Sequence, residues 1–99
     1  MNVQQINAAV AKLKTIYPDL FCQKTKNGML VDFKDDTMNC IFLLEADYCT
    51  LAFRKNELTK ALFWKSNEFG LVLDVLICAC NAGKSLHDVY HGLLCWYLS

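Results

Sequence analysis

The sequence predicts an α+β domain: an N-terminal helix, a three- to four-stranded antiparallel meander, and two to three C-terminal helices packed on one face of the sheet. Three observations carry this. Apolar residues recur at helical spacing over residues 3–17, the period drops to two between residues 20 and 54, and helical spacing returns after residue 56. A run of strands followed by a run of helices is the α+β pattern.

Val3, Ile6, Val10, Leu13 and Tyr17 form one stripe, with Gln4, Lys12 and Lys14 off it. Asn2 is placed to cap this helix, and Gln5 completes a box-like pattern. Pro18 stops it, because the residue before a proline is pushed out of the helical region. Leu20–Thr25 then reads as a strand. Asn27-Gly28 signals a hairpin, since both positions tolerate positive φ. Met29, Val31 and Phe33 alternate with Leu30, Asp32 and Lys34, as in a half-buried strand. After a polar turn at residues 34–37, Met38 to Glu45 is apolar without alternation, which predicts an interior strand covered on both sides. Ala46-Asp47 turns the chain, and Tyr48–Arg54 alternates again with Cys49, Leu51 and Phe53 on one face.

The remainder is expected to be helical. Asn56 caps a short helix through Leu58, Ala61 and Leu62 in this reading. Ser66 or Asn67 caps the next, which runs through Phe69, Val72, Leu73, Leu76, Ile77 and Cys80, is apolar nearly all round and should be central. Gly83 stands where a left-handed helix end needs it. Ser85 and Asp88 form an S-x-x-D capping pattern for the last helix, whose apolar face is Leu86, Val89, Tyr90, Leu93, Leu94 and Tyr97. Without a Pro/Gly/Ser-rich linker, repeat or low-complexity segment, residues 1–99 read as a single domain.

Apolar residues make up 55% of the 99, against about 45–50% in ordinary globular chains. That excludes a disordered tail, a collagen-like chain and a multidomain protein. A domain of this size hides only about two-thirds of its unfolded surface, so apolar surface is left for a partner. The excess is concentrated beyond residue 62, where only Lys65, Glu68, Asp74, Lys84 and Asp88 are charged.

Ten basic residues balance ten acidic ones, leaving no net field for a polyanion, so nucleic acid is not the expected partner. The charges fall in blocks: residues 1–34 and 54–65 are each net basic, and residues 35–53 are acidic through Asp35, Asp36, Glu45 and Asp47. Such blocks are ordinarily solvated faces, though alternating blocks can also orient a self-complementary interface. The six cysteines (22, 40, 49, 78, 80 and 95) lie mostly in apolar runs, and no signal peptide is visible, so reduced thiols and a cytoplasmic location are expected. The Leu71–Ala82 run is too short to span a membrane.

Candidate chemistry is sparse. His87, His91 and Cys95 stack at i, i+4 and i+8 on one helical face, the spacing metal ligands on a helix require. Cys78 and Cys80 lie one turn away, but only one of the two could reach the same site. No Glu follows His87, so the metalloprotease pattern is absent. A nucleophilic cysteine needs an adjacent base and an electropositive setting, and none of the six shows a local signature of that kind, nor does a glycine-rich loop offer an oxyanion hole. Gly83-Lys84-Ser85 resembles the end of a phosphate-binding loop, but Cys78 stands where that loop needs glycine. The Asp35/Asp36 and Glu45/Asp47 pairs fall in turns, where Asp serves backbone hydrogen bonding.

The aromatic cluster is more informative. Phe63, Trp64, Phe69, Tyr90, Trp96 and Tyr97 are nominated as the protein interface, because such residues anchor interfaces and one helix face cannot bury Leu62, Phe63 and Trp64 together. Base stacking would need basic residues interleaved with them; Arg54, Lys55 and Lys60 precede the cluster and Lys65 follows Trp64, which leaves stacking as a lesser reading. The expectation is a non-enzymatic protein-binding module of the adaptor, dedicated-chaperone or small-inhibitor type, forming a homodimer, with no catalytic residues and no cofactor. The alternative is a metal- or small-molecule-binding domain using His87, His91 and Cys95.

Overall fold

The computed structural model describes residues 2–99, with the side chains of Leu58 and Thr59 outside that description. Its order is α1 (Val3–Ile16), β1 (Phe21–Lys24), β2 (Gly28–Lys34), β3 (Asn39–Glu45), β4 (Tyr48–Lys55), β5 (Leu58–Lys65), α2 (Phe69–Asn81) and α3 (Leu86–Leu98). The fold is α+β as expected, but the sheet has five strands, each antiparallel to its chain neighbour, in the order β1-β2-β3-β4-β5.

The fifth strand replaces the short helix expected over residues 56–62. Asn56 does not cap a helix. It adopts φ 57°, the left-handed region that asparagine enters more readily than most residues, and with Glu57 it turns β4 directly into β5. Leu58, Ala61 and Leu62 mimic helical spacing because β5 is apolar on both faces: Leu62 and Trp64 point into the core, Ala61 and Phe63 away from it. A two-residue loop also forms the first hairpin, but at Lys26-Asn27, one residue earlier than expected, closed by Thr25 N–H donating to the Gly28 carbonyl (2.9 Å). Gly28 is already strand and has no positive φ. It is needed because a Cβ there would run into the Leu44 backbone carbonyl of β3.

All three helices lie on one face of the sheet. Val31, Phe33, Cys40, Phe42, Leu44, Cys49, Leu51, Phe53, Leu62 and Trp64 are buried from the strands. From above they meet Ile6, Ala9 and Leu13 of α1, Phe69, Val72, Leu73 and Leu76 of α2, and Leu86, Val89 and Leu93 of α3. Aromatic contacts tie the layers together: Tyr17 on Phe33, Phe69 edge-on to Phe42, Tyr90 on Phe53, and Trp96 stacked on Trp64 at 5.9 Å. As expected, α2 is the middle helix, packed against both α1 and α3. It is not enclosed, however. The helical layer is one helix thick, so Leu71 and Val75 stay exposed on its outer side, and so does Val3 of α1. Nor is β3 covered twice: its burial alternates, with Cys40, Phe42 and Leu44 inward and Ile41 and Leu43 only half-buried.

The helix ends follow the sequence closely. Asn2 and Gln5 exchange side-chain and backbone hydrogen bonds at 2.8 and 3.0 Å, a full capping box. Gly83, at φ 80°, ends α2 with Lys84 N–H bonded to the Ala79 carbonyl and Gly83 N–H to that of Cys80, the Schellman arrangement. A 3-10 turn over Ser66–Glu68 leads into α2 in place of the expected Ser66 or Asn67 side-chain cap. Ser85 Oγ accepts from Asp88 N–H (3.2 Å), half of the expected box. The two preceding N–H groups of α3 are capped from the β2–β3 turn: Leu86 N–H donates to Asp35 Oδ2 (2.8 Å) and His87 N–H to Thr37 Oγ1 (3.2 Å).

Candidate protein interface

Strand register fixes what lies on the side of the sheet away from the helices. Residues paired across an antiparallel ladder share a face. One row therefore runs Gln23, Leu30, Leu43, Thr50, Phe63, and the next runs Phe21, Asp32, Ile41, Ala52, Ala61. Leu30, Ile41, Leu43, Ala52 and Ala61 are half-buried by their neighbours alone, while Phe63 is 56% and Phe21 58% exposed. Sheets with one solvated face ordinarily alternate apolar-in and polar-out. Here most outward positions of the central strands are apolar too, interrupted by Asp32 and Thr50. Charged residues frame this strip: Asp32 and Glu45 on the β2–β3 side, Arg54 and Lys65 on the β4–β5 side, and Lys34 at the end of β2.

The six nominated aromatics divide between the two sides of the molecule. Phe63 lies on the uncovered face. Trp64 (6% exposed) and Phe69 (2%) are in the core. Tyr90 is partly buried on Phe53, and Trp96 and Tyr97 cover Trp64 with 37% and 39% of their own surface exposed. Leu30, Ile41 and Leu43 escaped sequence reasoning because β3 read as a strand sandwiched between layers. The signal available was the small outward pair Thr50 and Ala52 in the adjacent strand, which no second layer would need.

His87 and His91 do come together on α3. Their Nε2 atoms are 3.1 Å apart, their rings meet edge to face at 4.5 Å, and His87 Nδ1 is buried without a hydrogen-bond partner. Cys95 is exposed, and among the described residues no three or more His, Cys, Asp or Glu side chains form a group able to hold a metal ion. All six cysteines are free. Burial pushes the Cys22, Cys40 and Cys80 thiols up, and burial together with the Glu68 carboxylate raises Cys49 to about 11. These four are thereby held protonated at neutral pH and are poor nucleophiles. Cys80 Sγ lies 3.0 Å from Tyr17 Oη, pinning the end of α1 to α2.

No family model, curated protein or solved structure matches the chain. Among the described residues no helix is long and apolar enough to cross a membrane.

Proposed function

We propose that the chain is a non-enzymatic protein-binding module, an adaptor, dedicated chaperone or small inhibitor, that binds through the uncovered face of its sheet. The observation behind this is the largely apolar strip of Leu30, Leu43 and Phe63, with Thr50 between the last two and Ile41 and Ala52 beside it, on a face that no helix among the described residues reaches. Contiguous apolar patches rimmed by polar residues mark interaction sites in soluble proteins.

The test compares proteins captured by the wild-type chain with those captured by Leu43→Glu and Leu71→Glu, quantified by mass spectrometry. Capture should be lost on Leu43→Glu, in the middle of the strip, and kept on Leu71→Glu, on the outer side of α2. Equal loss in both variants would remove the sheet face as the binding surface.

The histidine pair favours a second reading, a metal-binding domain. Two Nε2 atoms 3.1 Å apart suit adjacent ligands of one zinc-like ion, with bonds of about 2.0–2.1 Å to each. Melting the wild-type and His91→Ala chains with and without zinc decides it. A zinc-dependent rise in Tm confined to the wild type supports the site, and identical curves reject it.

A further inference from the structure

We propose that the free edge of β5 is a further protein-binding site, whose occupant is an extended strand of another protein, apolar in its middle and acidic at both ends, added antiparallel to β5. The site is separate from the uncovered sheet face and stands or falls without it.

Hydrogen-bond parity defines the edge. Ser66 N–H donates to the Asp47 carbonyl (2.9 Å), so residues 47 and 66 form a bonded pair that continues the β4–β5 ladder. Bonded and non-bonded pairs alternate along an antiparallel ladder. Cys49–Trp64, Leu51–Leu62, Phe53–Lys60 and Lys55–Leu58 are then the bonded pairs. Ala61 and Phe63 turn their N–H and C=O groups the other way. β5 is the last strand of the sheet, and among the described residues nothing bonds to those groups. Only at the Lys65 end is the edge closed, by Glu68 Oε1 accepting from Lys65 N–H (3.4 Å). Proline, bulges and brevity are what ordinarily protect a sheet edge from a further strand. β5 has no proline and keeps register with β4 through all eight of its residues, whereas β1, at the other edge, is four residues long.

The side chains beside the edge suit an apolar middle. On the helical side Leu62 and Trp64 are buried, and Trp96 and Tyr97 of α3 pack on Trp64 with part of their own surface still exposed. On the open side the exposed Phe63 follows Ala61. An added strand alternates its side chains between these two surfaces. Main-chain bonds hold such a strand, and the alternate side chains select it.

Charge decides which strand fits. β5 carries Lys60 on the helical side and Lys65 on the open side, five positions apart, and no acid; over residues 54–65 Arg54, Lys55, Lys60 and Lys65 face Glu57 alone. A second copy of β5 is poorly matched to this edge. Of the registers that pair the free groups of Ala61 and Phe63, only the one centred on Ala61 answers a lysine with an acid, Lys65 with the mate's Glu57. That register also sets the two Lys60 side chains diagonally across the axis on one side of the sheet. An antiparallel strand with acidic residues five positions apart instead places one carboxylate opposite each lysine, each on the matching side of the sheet.

The experiment is amide hydrogen exchange by NMR on the full chain, without and with the end-blocked peptide Thr-Glu-Val-Thr-Val-Thr-Glu-Thr. Laid antiparallel, its glutamates face Lys65 and Lys60 and its valines face Leu62 and Trp64. Exchange of the Ala61 and Phe63 amides should slow by about tenfold or more at saturating peptide. By fluorescence anisotropy, the same peptide with lysine in place of both glutamates should bind about tenfold more weakly. The double variant Lys60→Glu/Lys65→Glu should reverse that preference. Ala61→Pro should abolish binding with an unchanged circular dichroism spectrum, because the N–H it removes serves no bond to β4; should that variant fail to fold, the reversal of charge preference remains decisive. Leu43→Glu should bind the peptide as the wild type does, and loss of binding there overturns the separate site. No slowing at Ala61 and Phe63, slowing at Cys22 and Lys24 of β1 instead, or equal binding of the two peptides overturns the proposal. Ala61 and Phe63 amides that exchange slowly without peptide, and faster on dilution, overturn it in favour of a second copy at this edge.

Discussion

The Asp35 carboxylate joins two parts of the chain 51 residues apart. Its Oδ1 accepts from Thr37 N–H (2.8 Å), Thr37 Oγ1 (2.6 Å) and Met38 N–H (3.1 Å), shaping the β2–β3 turn, while Oδ2 receives Leu86 N–H at the start of α3. Partial burial alone would raise its pKa; the hydrogen bonds from Thr37, Leu86 and Met38 outweigh that and hold the carboxyl below its ordinary value. Replacing it with alanine should cost about 2 kcal/mol, the scale of a lost helix cap with a charged acceptor, read from urea melts at pH 7. A depressed carboxyl contributes stability that is complete above the ordinary value of about 3.9 and lost as pH falls through the folded value. The Tm of the wild type should therefore fall more steeply than that of Asp35→Asn between about pH 5 and 2. The thiols act at the other end. Cys40 and Cys49 are raised on folding, so their contribution is whole below the ordinary thiol range and disappears as pH climbs through the folded values, about 11 for Cys49. Alkaline unfolding should move upward in Cys49→Ala relative to its own stability at pH 7, measured by circular dichroism.

At the level of the elements, much of what depends on neighbours in sequence was legible, whereas the pairing that makes β5 a strand was not. The Asn2–Gln5 box, the Gly83 helix end and the inward faces of β2 and β4 all appear where local spacing put them. β5 could not be read that way. Its two apolar faces give helical spacing by coincidence, and its identity comes from register with β4, from Tyr48 opposite Lys65 to Lys55 opposite Leu58. The candidate interface was obscured for the same reason. Phe63 was named for its type, but the face it shares with Leu30, Ile41 and Leu43 exists only once four strands are aligned. The turn that commits the chain to this pairing is testable. Asn56→Gly should leave stability within a few tenths of a kcal/mol, whereas Asn56→Val, a β-branched residue forced to φ 57°, should cost about 1–2 kcal/mol in thermal or urea melts.

The whole molecule is two layers, with helices on one side of the sheet and none on the other, so adjacent residues of one strand should differ sharply in what they contribute. Phe42→Ala, on the buried side of β3 between Phe33 and Phe69, should cost about 3–5 kcal/mol. Leu43→Ala, one residue on and half-buried, should cost about 1 kcal/mol or less in the isolated chain, as urea melts at low concentration will show. The strand order bears on how the chain reaches this state. Because every strand pairs with its predecessor, the sheet can assemble as successive hairpins, each closing a short loop, without waiting for distant segments to meet. Distant closures fall to the helices: Tyr17 must find Cys80, and Asp35 must find Leu86. Kinetic effects should divide accordingly, with substitutions in the β2–β4 hairpins slowing refolding and Tyr17→Phe or Asp35→Asn mainly speeding unfolding. The sheet would then form first as a scaffold, and the α3 cap would lock it late.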